Sequence, residues 1–466
     1  MTTPSPTSFW SGALEGAPHH PPLETHAKAD VVIIGGGFSG LWTAYYLKTL
    51  SPDMDIRVLE ARHVGHGASG RNGGWAIGSL AGLGRHLTGH STEQRQALCD
   101  LLADNVDAIG ATLTQEGIDA DFHKGGALYV AARYPAQEAL QRDYREHMLA
   151  LGHRAEDCQW LTAEELETKA RFQRPFGALF HRQVASLHPG KLLRGLAQRL
   201  TDMGVTLHEH SPVDQIDGGR VTTSRGSVTA AMTVVATEGY NTLPQLRPHL
   251  VPVSSLVIAT EPLSAPQWEA IGLHDRPTFA DASRLINYGH RSRDGRLIFG
   301  ARGHYPYKAL PRHQTAISSA DIAMRKALLQ SLFPDLGEVT ISHGWGGTLG
   351  LSRSFRPHAI MDRREGIATL GGYAGEGVAA SHLMARSLAE RILKLDTPRT
   401  RAPWVCDGAL TSLLKRWEPE PLRWLGAKGM TLTYAAEEAL LARQRHLPLV
   451  SPALARLNDT FASLIE

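Results

Sequence analysis

The stretch Val31-Val32-Ile33-Ile34-Gly35-Gly36-Gly37-Phe38-Ser39-Gly40 decides the fold of this chain. Its apolar run predicts a strand that is buried on both faces of a parallel sheet. Apolar residues recur at helical spacing after the glycines, and Ser51-Pro52-Asp53 ends the helix. Residues 56–59 form a second short apolar strand, which the right-handed crossover rule places beside the first. The pattern therefore predicts a βαβ unit.

The glycines of this turn match the GxGxxG pattern of dinucleotide-binding folds. The first glycine permits a tight turn, the second lets the backbone approach a pyrophosphate, and the third allows the helix to pack closely on the strand. The free N–H groups at the start of the helix then bind the anion. Glu60 ends the second strand, where a carboxylate accepts hydrogen bonds from ribose hydroxyls. The nucleotide contacts predicted here are Gly35, Gly37, Phe38, Ser39, Gly40, Glu60, Ala61 and Arg62.

NAD-binding and FAD-binding proteins share this fingerprint, and a second glycine-rich loop distinguishes between them. Residues 65–74 read GHGASGRNGG, a length of glycine-rich backbone that a flavin requires and an NAD domain does not. With this loop the sequence resembles the FAD-dependent D-amino acid oxidase superfamily, in particular gamma-glutamylputrescine oxidases, aminophosphonate oxidoreductases and sarcosine oxidases. The resemblance runs from about Phe9 to Ile392. It implies an enzyme that oxidises a small amine or amino acid with FAD.

The resemblance also implies which further residues contact FAD. The backbone of Val213 would meet the adenine, and the segment from Gly371 to Val378 would place a helix N-terminus against the flavin pyrimidine. Such a terminus stabilises the negative charge that develops there on reduction. The contacts implied are Gly67, Ala68, Ser69, Arg71, Asn72, Gly73, Gly74, Val213, Ala236, Thr237, Gly347, Gly372, Gly375, Glu376, Gly377 and Val378. Residues 343–348 contain no cysteine where sarcosine oxidases carry a covalent link, so we expect non-covalent FAD.

The order of strands and helices predicts a mixed α/β and α+β fold. A Rossmann-like FAD-binding domain is built from discontinuous segments, and a mainly antiparallel-sheet substrate domain is inserted between them. Long, half-exposed strands such as Val251–Thr260 and Leu285–Tyr288 suit the inserted domain. The predicted division is an N-terminal arm over 1–25, the FAD-binding domain over 26–95, 186–241 and 340–396, the substrate domain over 96–185 and 242–339, and a C-terminal helical extension over 397–466.

Composition excludes several other classes of protein. A net charge of +2 over 466 residues, without a dense basic stripe, argues against a nucleic-acid partner. The three cysteines stand far apart without a CxxC pair, so we expect neither a disulfide framework nor a metal site. No basic patch followed by an apolar run marks a signal peptide, and no window has the ~20 apolar residues of a membrane span. We expect a cytoplasmic protein.

Flavin amine oxidation needs orientation of the substrate more than acid–base groups, because hydride passes to flavin N5 and the resulting imine hydrolyses in water. Oxygen or another electron acceptor would then reoxidise the flavin. The candidate catalytic and substrate residues are Arg71, Tyr288, Arg302 and Trp345. We predict that Arg302 or Arg353 reads a carboxylate or phosphonate on the substrate with its planar guanidinium.

Two departures from the family pattern leave alternatives open. Relatives commonly read GHG where this chain has Gly375-Glu376-Gly377, and Asp where it has Ser354. Glu376 is either an acidic residue that stabilises the first turn of a helix, or a carboxylate that changes the electrostatic field at the flavin edge. A polyamine-like substrate would want a carboxylate such as Glu376 or Glu238 instead of an arginine. A flavoprotein with a structural or partner-recruiting role and an NAD-linked dehydrogenase are the alternative functions.

Overall fold

The computed structural model describes residues 4–465 except 242, 285, 304, 306, 309 and 446, and gives only the backbone for residues 302 and 462–465. The strands are β1 (His26–Ile34), β2 (Ile56–Leu59), β3 (Trp75–Ile77), β4 (Ala127–Ala131), β5 (Cys158–Leu161), β6 (Gly177–His181), β7 (Val184–Ser186), β8 (Thr206–His208), β9 (Val213–Asp217), β10 (Arg220–Thr223), β11 (Ser227–Val235), β12 (Leu250–Thr260), β13 (Thr278–Asp281), β14 (Asn287–Arg291), β15 (Leu297–Arg302), β16 (Ile341–Ser352), β17 (His358–Asp362), β18 (Ile367–Gly371) and β19 (Val405–Asp407).

The helices are α1 (Phe38–Leu50), α2 (Leu83–His86), α3 (Thr92–Gln115), α4 (Ala136–Leu151), α5 (Ala163–Glu167), α6 (Pro189–Asp202), α7 (Ala265–Ile271), α8 (Ser319–Leu332), α9 (Gly377–Ile392), α10 (Leu422–Ala442) and α11 (Val450–Ile465). Within the described part of the chain, no helix is both long and apolar enough to cross a lipid bilayer.

The first sheet is the Rossmann-like one. Its main path runs β19-β17-β18-β11-β1-β2-β8, and β1 pairs in parallel with both β2 and β11. The end of β1 is wholly buried because α1 and α9 pack on the sheet, and both helices contribute to one hydrophobic core. The predicted βαβ opening and the predicted fold class are confirmed.

The second sheet is the mainly antiparallel one, in the order β16-β12-β15-β14-β13-β4-β6-β5. Its register places Tyr129, Ala280, Tyr288 and Gly300 side by side on neighbouring strands. The strand predicted to start at Leu285 begins instead at Asn287, and residue 285 itself lies outside the described residues. The sheet therefore presents one row of two tyrosines and two small residues.

Helix α3 and strand β16 do not pack in the domain to which the predicted boundaries assign them. Helix α3 was expected in the substrate domain from residue 96, yet Leu102, Val106 and Ile109 lie in the core beneath the Rossmann-like sheet. Strand β16 follows the expected boundary at 340, yet it pairs along its whole length with β12 of the antiparallel sheet. Both shifts arise because packing over long sequence distances, rather than local pattern, decides which core an element joins. The division into domains otherwise stays a prediction.

The two ends of the chain are packed on the body of the protein. Trp10 and Leu23 of the N-terminal arm are each 1% exposed. In the C-terminal extension, α10 and α11 pack on each other, and Arg133 of the substrate side forms an ion pair with Glu438 of α10. The arm is therefore part of the folded core, which bears on the site described next.

Candidate active site

The glycine turn after β1 leaves its helix N-terminus open to an anion. Gly35 has φ +112°, a value that favours glycine, and a Cβ at Gly40 would collide with the carbonyl oxygen of Gly35. A Cβ at Gly37 would lie 2.8 Å from Ser69 Oγ. Gly37 precedes the first residue of α1 and supplies no side-chain cap, so part of the first turn keeps unpaired main-chain N–H groups. This geometry suits a pyrophosphate.

Glu60 holds the turn from the end of β2. Its Oε2 accepts a hydrogen bond from the Gly36 N–H at 2.8 Å, and its Oε1 accepts one from the Arg62 N–H at 2.9 Å. Burial raises the pKa of Glu60, while these two backbone donors oppose the shift. Each carboxylate oxygen keeps a further lone pair, so Glu60 can also accept from ribose hydroxyls.

The loop of residues 65–74, here called the flavin loop, is held largely by its own hydrogen bonds. Ser69 Oγ accepts from the Phe38 N–H of α1 at 2.9 Å. The amide of Asn72 donates to the Ser69 carbonyl at 2.6 Å and accepts from the Gly74 N–H at 2.7 Å. Ser69 and Asn72 thus shape the loop, and the FAD contacts implied for them stay predictions.

Three successive carbonyls of the flavin loop are held from outside the loop. Ser8 Oγ donates to the Gly70 carbonyl at 2.8 Å, and Trp10 Nε1 donates to the Asn72 carbonyl at 2.7 Å. Between them, Trp345 Nε1 donates to the Arg71 carbonyl at 3.1 Å. Two of these donors come from the N-terminal arm, for which we had predicted no such role. The arm and β16 together fix the path of the loop.

The Arg71 side chain is buried and engaged with protein groups. Its guanidinium donates to the carbonyls of Arg312 and His313 at 3.2 and 3.1 Å, and to a ring nitrogen of His66 at 3.2 Å. Burial and the adjacent Arg71 charge lower the pKa of His66 to about 3, so this ring is neutral and can accept. Arg71 therefore joins the flavin loop to residues 312–313.

Glu238 contacts the predicted flavin-binding segment from Gly371 to Val378 and also β16. Its Oε2 accepts from the Gly350 N–H at 2.8 Å, and its Oε1 faces the Tyr373 N–H at 3.4 Å. Burial raises the pKa of Glu238 to about 6 against the effect of these donors. Glu238 also has φ +43°, which is strained for a residue with a side chain. Its carboxylate therefore links β16, β18 and the residues before α9.

The remaining predicted cofactor contacts lie around this same region. The Ala236 N–H donates to the Ile34 carbonyl at 2.8 Å, and Ala236 O approaches the Gly35 turn. A Cβ at Gly347 would lie 2.9 Å from Arg71 Cβ, so β16 passes close to the flavin loop. The other predicted contacts lie after β2 (Ala61), in the flavin loop (Gly67, Ala68, Gly73), at the start of β9 (Val213), after β11 (Thr237), before α9 (Gly372, Gly375) and in the first turn of α9 (Gly377, Val378). Their roles toward FAD stay predictions.

These residues fit a dinucleotide that ends in a flavin. In the turn at Gly35–Gly40, the lack of a Cβ leaves room for the close packing of the main chain. The N-terminus of α1 is open for the pyrophosphate. Glu60 supplies a carboxylate for a ribose. The glycines at 73 and 347 let the flavin loop pack closely on Tyr288 and on β16, which holds the loop in a fixed position beside the nucleotide turn.

Three tyrosines, Tyr129, Tyr144 and Tyr288, lie on the predicted substrate side of the flavin loop, and this predicted substrate region is here called the cleft. The ring of Tyr288 occupies the space over Gly300, and a Cβ at Gly73 would collide with the same ring. Tyr288 Oη and Ser255 Oγ are 3.3 Å apart, and the Tyr288 ring meets Trp75 edge to face at 5.9 Å. Tyr288 therefore packs directly against the flavin loop, and its predicted contact with substrate stays a prediction.

Tyr129 and Tyr144 extend this cleft away from the loop. Their rings meet edge to face at 5.6 Å, and Tyr144 is 40% exposed. Burial is the main cause that raises the pKa of each phenol, and the charge of the nearby Glu376 carboxyl adds to it. Burial raises the pKa of Glu376 itself to about 7, opposed by the Ala81 backbone N–H. The cleft thus contains a carboxyl group that titrates near neutral pH.

The other predicted substrate residues are placed differently. Trp345 is 0% exposed, and its indole N–H is used on the flavin loop, so it positions the loop and does not line the cleft. Arg353 forms an ion pair with Glu418 at 2.9 Å and stacks over Trp417. The Arg302 side chain lies outside the described residues, although its backbone belongs to β15. No local pattern points to Tyr129, Tyr144 or the N-terminal arm, because strand register and long-range packing bring them to this site.

Residues 30–391 match the family described as FAD dependent oxidoreductase, abbreviated DAO. The chain belongs to this family. FAD is therefore its cofactor, which decides between the two nucleotides that the fingerprint left open and removes the NAD-linked alternative. The chain is 30% identical over 384 residues to the probable oxidoreductase OrdL of Haemophilus influenzae. The alignment covers 80% of this chain and 85% of that protein.

Two further comparisons agree with this assignment. The oxidoreductase is 29% identical over 385 residues to the gamma-glutamylputrescine oxidoreductase of Escherichia coli, which covers 81% of this chain and 86% of the relative. The fold is that of the glycine oxidase of Geobacillus kaustophilus, with a TM-score of 0.66 and 20% identity, over 84% of this chain and 100% of the other. The predicted resemblance and the predicted cofactor are confirmed.

Proposed function

We propose that this oxidoreductase oxidises the C–N bond of a small amine that carries no carboxylate beside the reacting carbon, in preference to a free α-amino acid. The observation that carries the proposal is the Glu376 carboxyl group in the tyrosine-lined cleft. A carboxylate attracts an ammonium group and repels the carboxylate of an amino acid. The relative named as a gamma-glutamylputrescine oxidoreductase supports an amine as substrate.

The described arginines around the site do not favour an anionic substrate. Arg71 donates to two backbone carbonyls and His66, and Arg353 is paired with Glu418. Arg325 is 1% exposed and donates to the carbonyls of Leu256 and Ala301. These contacts favour the alternative hypothesis, in which a carboxylate binds a cationic substrate, over the prediction that an arginine binds an anionic one.

Glu376 would also prepare the amine for reaction. A substrate ammonium must lose a proton before its carbon can release a hydride, and a carboxylate with a pKa of about 7 accepts that proton near neutral pH. FAD, when bound, accepts the hydride from the carbon that bears the amine. Tyr288 and Tyr129 would hold the alkyl part of the substrate between their rings, and water would hydrolyse the imine after release.

The test compares substrates of different charge. We expect alkyl diamines and monoamines to reduce the flavin faster under anaerobic conditions than glycine, sarcosine or aminophosphonates. In the Glu376→Gln variant this preference should shrink by roughly 10-fold, the change that ~1.4 kcal/mol of lost charge attraction gives. Glu365→Gln, a change at an exposed residue on the β17–β18 turn, serves as the matched control. Faster reduction by amino acids, with no effect of Glu376→Gln, would contradict the proposal.

A further inference from the structure

Outside the flavin site, His153, Cys158 and His181 form a buried cluster at the edge of the antiparallel sheet. One ligand atom from each lies within 4.8 Å of the other two. Cys158 of β5 and His181 of β6 are cross-strand partners in an antiparallel pair, so their side chains share one face. His153 joins them from the turn after α4, and its ring meets that of His181 at 5.6 Å.

The environment of His181 is the observation that points to a ligand. The residue is 0% exposed, and neither of its ring nitrogens has a hydrogen-bond partner among the described residues. A buried polar group without a partner is costly and rare in folded proteins. A metal ion bound at one ring nitrogen would remove this cost. The imidazole of His153 has only a long contact, 3.4 Å from Nε2 to Ser79 Oγ.

The protonation states also suit metal binding. Burial lowers the pKa of His181 to about 3 and that of His153 to about 4, so both rings are neutral at physiological pH, the form that binds a metal. Burial raises the pKa of the Cys158 thiol to about 12, and this residue is therefore a thiol until a cation arrives. Binding would replace the thiol proton: the S–H bond breaks, an S–metal bond forms, and one proton leaves to solvent.

We propose that His153, Cys158 and His181 bind one zinc ion. Two imidazoles and a thiolate are ligands that Zn²⁺ prefers and that Mg²⁺ or Ca²⁺ do not. The bound ion would carry one net positive charge after the thiolate forms, and the buried carboxylate of Asp157 lies beside Cys158 to offset it. Cys158 packs in one small apolar cluster with Tyr129, so the metal site borders the cleft, but the proposal does not depend on the proposed substrate.

A zinc ion here would act as a structural clamp. The sheet order ends β4-β6-β5, so β5 is an edge strand with one neighbour. The ion would tie β5 to β6 and to the C-terminal end of α4, the helix that carries Tyr144 of the cleft. We expect zinc to stabilise this edge of the protein against unfolding and to leave the flavin spectrum unchanged.

Elemental analysis of the untagged, flavin-loaded enzyme tests the proposal. We expect one zinc per chain, lost in Cys158→Ser and in His181→Asn and retained in Cys406→Ser, a thiol change at the partly exposed β19. Flavin content and circular dichroism confirm that each variant folds. Equal zinc in all four proteins, or another metal at this site, would overturn the assignment.

A measurement on the wild type keeps the test independent of the variants. The holoenzyme is stripped with a chelator and titrated with Zn²⁺ alone. We expect saturation at one equivalent, with Tm raised by about 5 °C, a size typical of a bound ligand that stabilises only the folded state. Absence of both uptake and a Tm shift would refute the site even if every variant failed to fold.

Discussion

The three carbonyls that are held from outside the flavin loop predict a specific effect on FAD binding. In Trp10→Phe, the Asn72 carbonyl loses its donor at 2.7 Å, and in Trp345→Phe the Arg71 carbonyl loses its donor at 3.1 Å. Both indoles are essentially unexposed, so water cannot replace the lost N–H without opening the core. Each substitution therefore leaves a carbonyl of the flavin loop without its donor.

The size of the effect follows from the cost of such a group. An unpaired buried acceptor costs ~1–3 kcal/mol. If FAD binding requires the ordered loop, this cost raises the Kd for FAD by roughly 5- to 140-fold, since ~1.4 kcal/mol is a factor of ten. The assay is titration of the FAD-free protein with FAD, followed by quenching of flavin fluorescence, together with Tm for stability.

Trp404→Phe is the matched control. Trp404 is also 0% exposed, but its indole N–H has no partner among the described residues, so this change removes the same atoms without removing a hydrogen bond. Subtracting its effect corrects for the smaller ring. If Trp10→Phe and Trp345→Phe weaken FAD binding no more than Trp404→Phe does, the arm and β16 do not position the flavin loop.

Three further predictions concern the cofactor and Glu376. Acid precipitation should release FAD into the supernatant, because residues 343–348 contain no cysteine, and colour that stays with the pellet would argue for a covalent link. Glu60→Gln should raise the Kd for FAD by roughly 5- to 140-fold, for ~1–3 kcal/mol of charge-assisted hydrogen bonds, as measured by the same titration. Because burial raises the pKa of Glu376 from 4.5 to about 7, its charging should destabilise the fold progressively from pH 4.5 to above 7. In chemical denaturation, the free energy of unfolding of Glu376→Gln should therefore rise relative to that of the wild type over this pH range. A difference that does not change with pH would contradict this prediction.

The nucleotide half of the site could be predicted from sequence because its physics is local. A buried strand, a tight turn at Gly35 and a helix N-terminus stand within ten residues of each other, and Glu60 follows at the end of the next strand. Each feature has its own requirement for residue type, so the pattern alone carries the prediction. The structure places all of them as expected.

The substrate half could not be predicted to the same extent. Tyr129 and Tyr288 flank Ala280 only because β13 pairs in parallel with β4 and antiparallel with β14, a register that no local pattern encodes. Trp345 was predicted to contact substrate, but its place in β16 directs its indole to the flavin loop. Trp10 stands in a proline-rich arm, where composition favours a loose segment. In each case long-range packing decides the role.

Anaerobic reduction of the bound flavin tests the central claim most directly. The purified enzyme is expected to be yellow and to lose this colour on addition of a small alkyl amine, with an aldehyde or ketone appearing after the imine hydrolyses. Glycine and sarcosine should bleach it more slowly. A protein that binds FAD fully yet is bleached by no amine or amino acid of the panel would contradict the account of this cleft as the active site of an amine oxidoreductase.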